Sequence, residues 1–381
     1  MAPAMPKPLA TAATIVAATA IALLLGEVIA RVALPPLPSV EVREDPGAVD
    51  RRRLENEEEQ PGLYVHTPVG LRLRANKVAV VHDHYFSGLT FEVRTNSLGY
   101  RNPEIGAKTR PRILFLGDSI TIAGYMPEAE TYVRRVQALS EEDGGAPLET
   151  INAGVGGVSM ADELAILTET GLSTDPDVVV LAFYLNDAIP SPAVVLLPPP
   201  RGLERSRLWA HLALAVARLR GEAEPAREKA IPDLDAWLAE VRRRYPPGKG
   251  DPRVDRGAFN AEISKNFRDW GTAWSEPAWE RMEPVLRELH RLAGLHGFAL
   301  RIVCFPHRLQ VDAEFVADEP QRTMKAIATE LDTPCLDLLP ALRAAERRGV
   351  GPLFYDHCHP TAAGHEIVAR EILRFLREHG A

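Results

Sequence analysis

Val178-Val179-Val180-Leu181-Ala182-Phe183 is a run of apolar residues with no polar position in alternation. A strand of this kind has to be covered on both faces, and a parallel sheet with helices above and below meets that requirement. Ile113-Leu114-Phe115-Leu116 repeats the pattern in shorter form, and Leu148 to Asn152, Ala299 to Phe305 and Pro334 to Leu336 read as further strands. Between them the apolar spacing turns helical over Thr131 to Leu139, Met160 to Thr170, Glu283 to Leu295 and Gln321 to Leu331, and a last helix runs from about Thr361 to Glu378. The alternation predicts a doubly wound α/β sheet from Pro111 onward, whose ligands sit at the carboxyl ends of the strands.

The residues that carry chemistry fall at those ends. Gly117-Asp118-Ser119 follows the first strand, Asn152-Ala153-Gly154-Val155-Gly156-Gly157 the second and Asn186-Asp187 the third, while Asp356-His357-Cys358-His359-Pro360 precedes the last helix. A serine hydroxyl is a poor nucleophile until a base takes its proton, which an imidazole does at neutral pH; a carboxylate three residues earlier on the same loop can orient that ring. Attack on an ester carbonyl creates an oxyanion whose charge must meet fixed donors. The backbone amides of Ser119 and Gly157 and the side-chain amide of Asn186 are candidates, with Gly154 a competing backbone donor in the same loop. Asp118 and Asn152 read as supporting residues, the former bonding within its own loop rather than behind the histidine. His357 competes with His359 as the base, and Cys358 between them is expected to make the site sensitive to thiol reagents.

This ordered set of blocks resembles the SGNH or GDSL-type hydrolases. The resemblance covers about Pro111 to Ala381, with an insertion, and Ile120 stands where the family name has leucine, a conservative change at an apolar position. It implies a flavodoxin-like three-layer fold and esterase, lipase or acyl-transfer chemistry that needs neither metal nor organic cofactor. Carried onto the matching positions, it makes Ser119 the nucleophile, Gly157 and Asn186 oxyanion donors, and Asp356 with His359 the rest of the triad. The family's Asp-x-x-His pattern favours His359 over His357.

Other chemistries find less support. A net charge of -8 argues against a nucleic-acid partner, because phosphate binding needs a concentrated basic surface. His82-Asp83-His84 lacks further ligands for a metal, and His357, Cys358, His359 and His365 lack the second cysteine pair of a zinc site. Gly154, Gly156 and Gly157 do not form the dinucleotide fingerprint, and no Gly-x-Ser-x-Gly elbow occurs. With three cysteines there is no disulfide framework; Cys304 and Cys335 read as buried free thiols, a single bridge between them staying open.

Outside the sheet the chain divides into four further parts. From Leu9 to Ala30 it carries one charge, Glu27, and has the length of about 20 residues that a helix needs to cross a bilayer. Lys7 before this stretch places the amino terminus in the cytoplasm and the rest outside, so residues 1–33 are expected to be an uncleaved signal anchor, with a cleaved signal peptide as competitor. Residues 34–60, rich in Pro, Glu and Arg, read as a tether, and residues 61–110 as a β-rich extension packed on the catalytic part. An insertion at about 189–276 opens with Leu196-Leu197-Pro198-Pro199-Pro200 and is expected to project over the site. Trp209, Trp237, Trp270, Trp274 and Trp279, within or beside it, either stack on substrate or pack the insertion's own small core, and Leu208 to Leu219 is amphipathic enough to rest on a membrane surface. The expectation is a membrane-tethered, extracytoplasmic serine esterase acting on O-acyl, foremost O-acetyl, esters of an envelope or secreted polysaccharide. O-acyl transfer to such a glycan is the alternative, and an inactive glycan-binding or assembly protein a third reading.

Overall fold

The computed structural model describes residues 7–34, 39–45, 62–67, 70–189, 206–220 and 234–380. The apolar stretch at the amino terminus forms helix α1 (Lys7–Ala33), whose span Thr14–Ala33 is long and apolar enough to cross a membrane. Residues 39–44, expected within the tether, instead form strand β1 (Ser39–Glu44). Its period of two, with Val40 and Val42 between charged residues, is a strand signal hidden in a charged composition. The other described strands of this region are β2 (Tyr64–Thr67), β3 (Gly70–Leu73), β4 (Lys77–His82) and β5 (Phe91–Arg94). They make an antiparallel sheet in the order β1-β4-β5 and a β2-β3 hairpin. The proline-rich run at Leu196 to Pro200 lies outside the described residues.

The continuous apolar runs become parallel strands, as double-sided burial requires. In chain order come β6 (Arg112–Gly117), the single helical turn α2 (Ser119–Ile122), α3 (Tyr132–Glu142), β7 (Glu149–Asn152), α4 (Met160–Glu169) and β8 (Val178–Phe183). The insertion supplies α5 (Arg207–Leu219), α6 (Leu234–Arg244) and α7 (Arg256–Lys265) before α8 (Glu276–His296) returns to the sheet. Then follow β9 (Ala299–Cys304), the short α9 (Arg308–Asp312), α10 (Glu319–Glu330), β10 (Cys335–Asp337), α11 (Leu339–Arg347) and α12 (Ala362–Glu378). Every residue of β6 and β8 is buried. Helix α8 starts well before the expected Glu283, because its buried face already includes Ala278, Trp279 and Met282 and it tolerates Pro284 inside.

The parallel strands lie in the order β10-β9-β8-β6-β7. Helix α3 packs on α12, and α4 on α8, which gives the three layers of a flavodoxin-like α/β fold. The chain direction across the sheet reverses between β6 and β8, and there the carboxyl ends of two adjacent strands open a crevice. Cys304 and Cys335 face each other from β9 and β10 as free thiols, their sulfurs 3.7 Å apart.

Candidate active site

Ser119 begins the helical turn that follows β6, and Asp118 caps that turn by accepting a hydrogen bond from the Ile120 amide at 2.9 Å. This is the own-loop role expected of Asp118, whose buried carboxyl is pushed above the ordinary range by desolvation. Ser119 Oγ lies 2.9 Å from His359 Nε2, and His359 Nδ1 lies 2.7 Å from Asp356 Oδ2. A carboxylate can only accept, so Nδ1 carries the proton and Nε2 presents its lone pair to the serine. Burial pulls the Asp356 carboxyl upward, but the hydrogen bond and charge of His359, with the amides of Cys358 and His359, outweigh it and hold the group well below the usual carboxylate range. His357 points elsewhere. Its side chain is 45% exposed, against 12% for His359, and comes no nearer than 3.8 Å to Asp356.

The two remaining loops approach from β7 and β8. Asn152 ties its loop to the serine turn: its amide donates to Thr121 O at 2.8 Å, and its carbonyl accepts from the Gly154 amide at 3.0 Å. The Gly154 amide is therefore already engaged, and a Cβ at that position would come within 2.5 Å of the Ile122 nitrogen. Gly157, at a φ of 77°, turns the loop back in the left-handed region that glycine occupies without strain. Gly157, Asn186, Ser119 and His359 line one cavity. Asp187 closes the third loop by accepting from the Tyr184 amide at 2.9 Å, while its main-chain carbonyl accepts from the amide of Met160.

A model of the GDSL-like lipase/acylhydrolase family matches residues 115–367. The chain belongs to this family. It is an ester-hydrolysing enzyme, and its substrates are O-acyl esters. Similar solved structures include the acetyl xylan esterase AlAXEase, at 16% identity over 69% of this chain and 98% of that one with a TM-score of 0.39. Axe2, an acetylxylan esterase from Geobacillus stearothermophilus, is 19% identical over 73% of this chain and 97% of its own, with a TM-score of 0.38. A lipolytic G-D-S-L protein from Veillonella parvula is 16% identical over 69% and 96%, also at 0.38. No curated protein matches the chain.

In this GDSL-family enzyme the β-rich extension is part of the site, which the sequence reading did not foresee. The Phe86 ring stacks on His359 with centroids 4.9 Å apart. The Tyr64 hydroxyl lies against Gly156, next to Gly157, so close that a Cβ there would come within 2.7 Å of it. Arg101, fully buried, donates to the carbonyls of Ile122, Ala123 and Met126 at 2.6–2.7 Å and so holds the chain that leaves the serine turn, including Ala123 at a φ of 48°. His84 sits in the same cavity wall; burial, with the charge of nearby His359, pushes its pKa down to about 4 against the pull of Asp356. No local pattern marks these residues, because each meets the site through packing over long sequence separations.

Two expectations change, those for Cys358 and for the whole insertion, and the tryptophans take the packing role already weighed for them. Cys358 is 3% exposed and burial pushes its thiol well up, so it is a poor target for alkylation although its sulfur lies 3.5 Å from His359 Nδ1. Trp237, Trp270, Trp274 and Trp279 are buried and pack the insertion onto the sheet, Trp279 donating to Ala273 O; only Trp209 among the five is exposed. The insertion divides. Residues near Asp269 border the cavity, whereas α5 packs on α1, where Glu27 accepts hydrogen bonds from Ser206 Oγ and the amides of Arg207 and Leu208.

Proposed function

We propose that Ser119, His359 and Asp356 form a hydrolytic triad that cleaves carboxylic O-acyl esters through an acyl-enzyme on Ser119. The observation that carries this reading is the continuous chain of contacts from Ser119 Oγ through His359 to Asp356, at 2.9 and 2.7 Å. In the reaction His359 Nε2 takes the hydroxyl proton as Oγ bonds to the ester carbonyl carbon. The resulting oxyanion is met by the amides of Ser119 and Gly157 and the side-chain amide of Asn186, each such donor contributing about 3 kcal/mol. Collapse breaks the carbon–oxygen bond to the alcohol, which leaves with the proton from His359. Water, deprotonated by the same ring, then releases the acid. Asp356, held as a carboxylate, keeps Nδ1 protonated throughout.

The alcohol is proposed to be a polyhydroxylated one, such as a glycan of the envelope or a secreted polysaccharide. An open groove of about 460 Å³ adjoins the serine cavity, sharing Asp269 and His357 with it, and its mixed wall sets Asn266, Arg308 and Asp312 beside Trp270 and Leu309, hydrogen-bonding groups next to an aromatic face. Helix α1 is proposed to be a signal anchor, with the catalytic part on the outer side; Lys7 and the exposed apolar surface of Ile15 to Val32 support this.

Labelling with a fluorophosphonate, followed by turnover of a chromogenic ester, tests the reading. The wild type is labelled and Ser119→Ala is not, and kcat falls by at least about 10⁴-fold. Near-normal turnover by Ser119→Ala would sink it.

A further inference from the structure

The cavity beside Ser119 and His359 has a volume of about 190 Å³. The extension supplies much of its apolar lining: Leu63, Val81, Phe86 and Val93 line it together with Ile122 of α2 and Tyr125 just after it. Leu63, Val81 and Val93 come from strands or strand flanks whose other contacts are buried core. His84 lies among these residues, its ring packed edge-on against Phe86 at 4.3 Å and kept neutral by burial.

The acetyl group expected from the sequence offers this space one methyl beyond the carbonyl carbon. For scale, an apolar cavity of about 150 Å³ holds a benzene-sized molecule. A methyl alone would leave most of the wall without partner atoms and forfeit the dispersion contacts a filled site gains. The adjoining groove that shares Asp269 and His357, with Asn266, Arg308 and Asp312 to bond hydroxyls, gives the alcohol a separate place, so the more apolar chamber is left for the acyl chain.

We infer that the β-rich extension is an acyl-specificity element, and that the enzyme takes medium acyl chains of about six carbons in preference to acetyl. This rests on the acyl-enzyme reading of Ser119. Burying each methylene in such a pocket favours the longer ester by up to about fourfold. The specificity constant kcat/KM therefore rises from acetyl through butyryl to hexanoyl by at least about tenfold in total, and stops rising once the chain outgrows the chamber.

The test is a series of p-nitrophenyl esters from acetyl to decanoyl with the full chain in detergent, alongside Val81→Phe and Val93→Phe, which fill the cavity from its apolar lining. Expected are a maximum near hexanoyl in the wild type and a hexanoyl-to-acetyl ratio at least about tenfold lower in a filled variant. A wild type that prefers acetyl overturns the inference, as does an unchanged ratio in a filled variant that melts like the wild type. Should neither variant fold, the wild-type series decides alone. Fluorophosphonate labelling separates the two levels: Ser119 labelled with acetyl preferred removes only the chamber assignment, whereas no label and no turnover of any ester removes the esterase mechanism as well.

Discussion

At the scale of single residues the site depends on how Asp356 is held. Its Oδ1 accepts from the amides of Cys358 and His359 at 2.9 and 2.8 Å, which leaves Oδ2 for the His359 ring. An Asn at this position keeps the oxygen for the amides and turns an NH₂ toward Nδ1. The ring must then accept there and carry its proton on Nε2, the wrong tautomer for deprotonating Ser119. Asp356→Asn is expected to lower kcat by about 10³–10⁴-fold with little change in KM, measured by steady-state kinetics on one ester. A loss confined to KM would contradict this tautomer argument.

Among elements, the extension and the sheet share the walls of the cavity that holds Ser119 and His359. Phe86 covers the face of His359, Tyr64 engages the loop that carries Gly157, and Arg101 fastens the serine turn. Arg101 is the most consequential of the three, since burial lowers its pKa only to about 10 and it stays charged at neutral pH against three carbonyls. Arg101→Met takes the guanidinium donors from all three carbonyls, leaving Ala123 O only the long bond from the Met126 amide at 3.3 Å, and leaves the left-handed Ala123 without its side-chain brace. The expected cost is at least about 3 kcal/mol of stability, read as a lower melting temperature, together with a fall in kcat. If instead the variant melted and turned over like the wild type, the extension would be an appendage rather than part of the site.

For the whole molecule, buried histidines set the acid limit, among them His307, whose pKa burial pushes well down. His365 accepts from the Tyr132 amide at Nδ1, at 2.9 Å, and meets the Tyr125 hydroxyl through Nε2 at 2.8 Å; burial drives its pKa down to about 3, and that of His84 to about 4. Above the ordinary histidine pKa of about 6.5 all three groups are neutral, folded or unfolded, and pH has no leverage through them. As pH falls below that value the unfolded chain takes up protons that the folded chain refuses. Stability then declines by up to about 1.4 kcal/mol per pH unit for each histidine until the folded values are reached. Melting temperatures at pH 7, 6, 5 and 4 are expected to fall progressively, and His365→Gln to be less stable at pH 7 but to show a shallower decline. A flat profile down to pH 4 would refute the assignment.

The sequence by itself determined the parallel sheet and the loops that carry Ser119, Gly157, Asn186 and His359, because double-sided burial writes continuous apolar runs and strand ends are marked by short polar and glycine-rich turns. It favoured Gly157 over Gly154 and His359 over His357 through the family's motif pattern alone, since where an amide or ring points is not written locally. Only the tertiary structure decided that β1 joins β4, that Glu27 caps α5 from a distant part of the chain, and that Tyr64, His84, Phe86 and Arg101 converge on the serine. Contacts between surfaces far apart in the chain impose no periodicity on either segment, so nothing local records them.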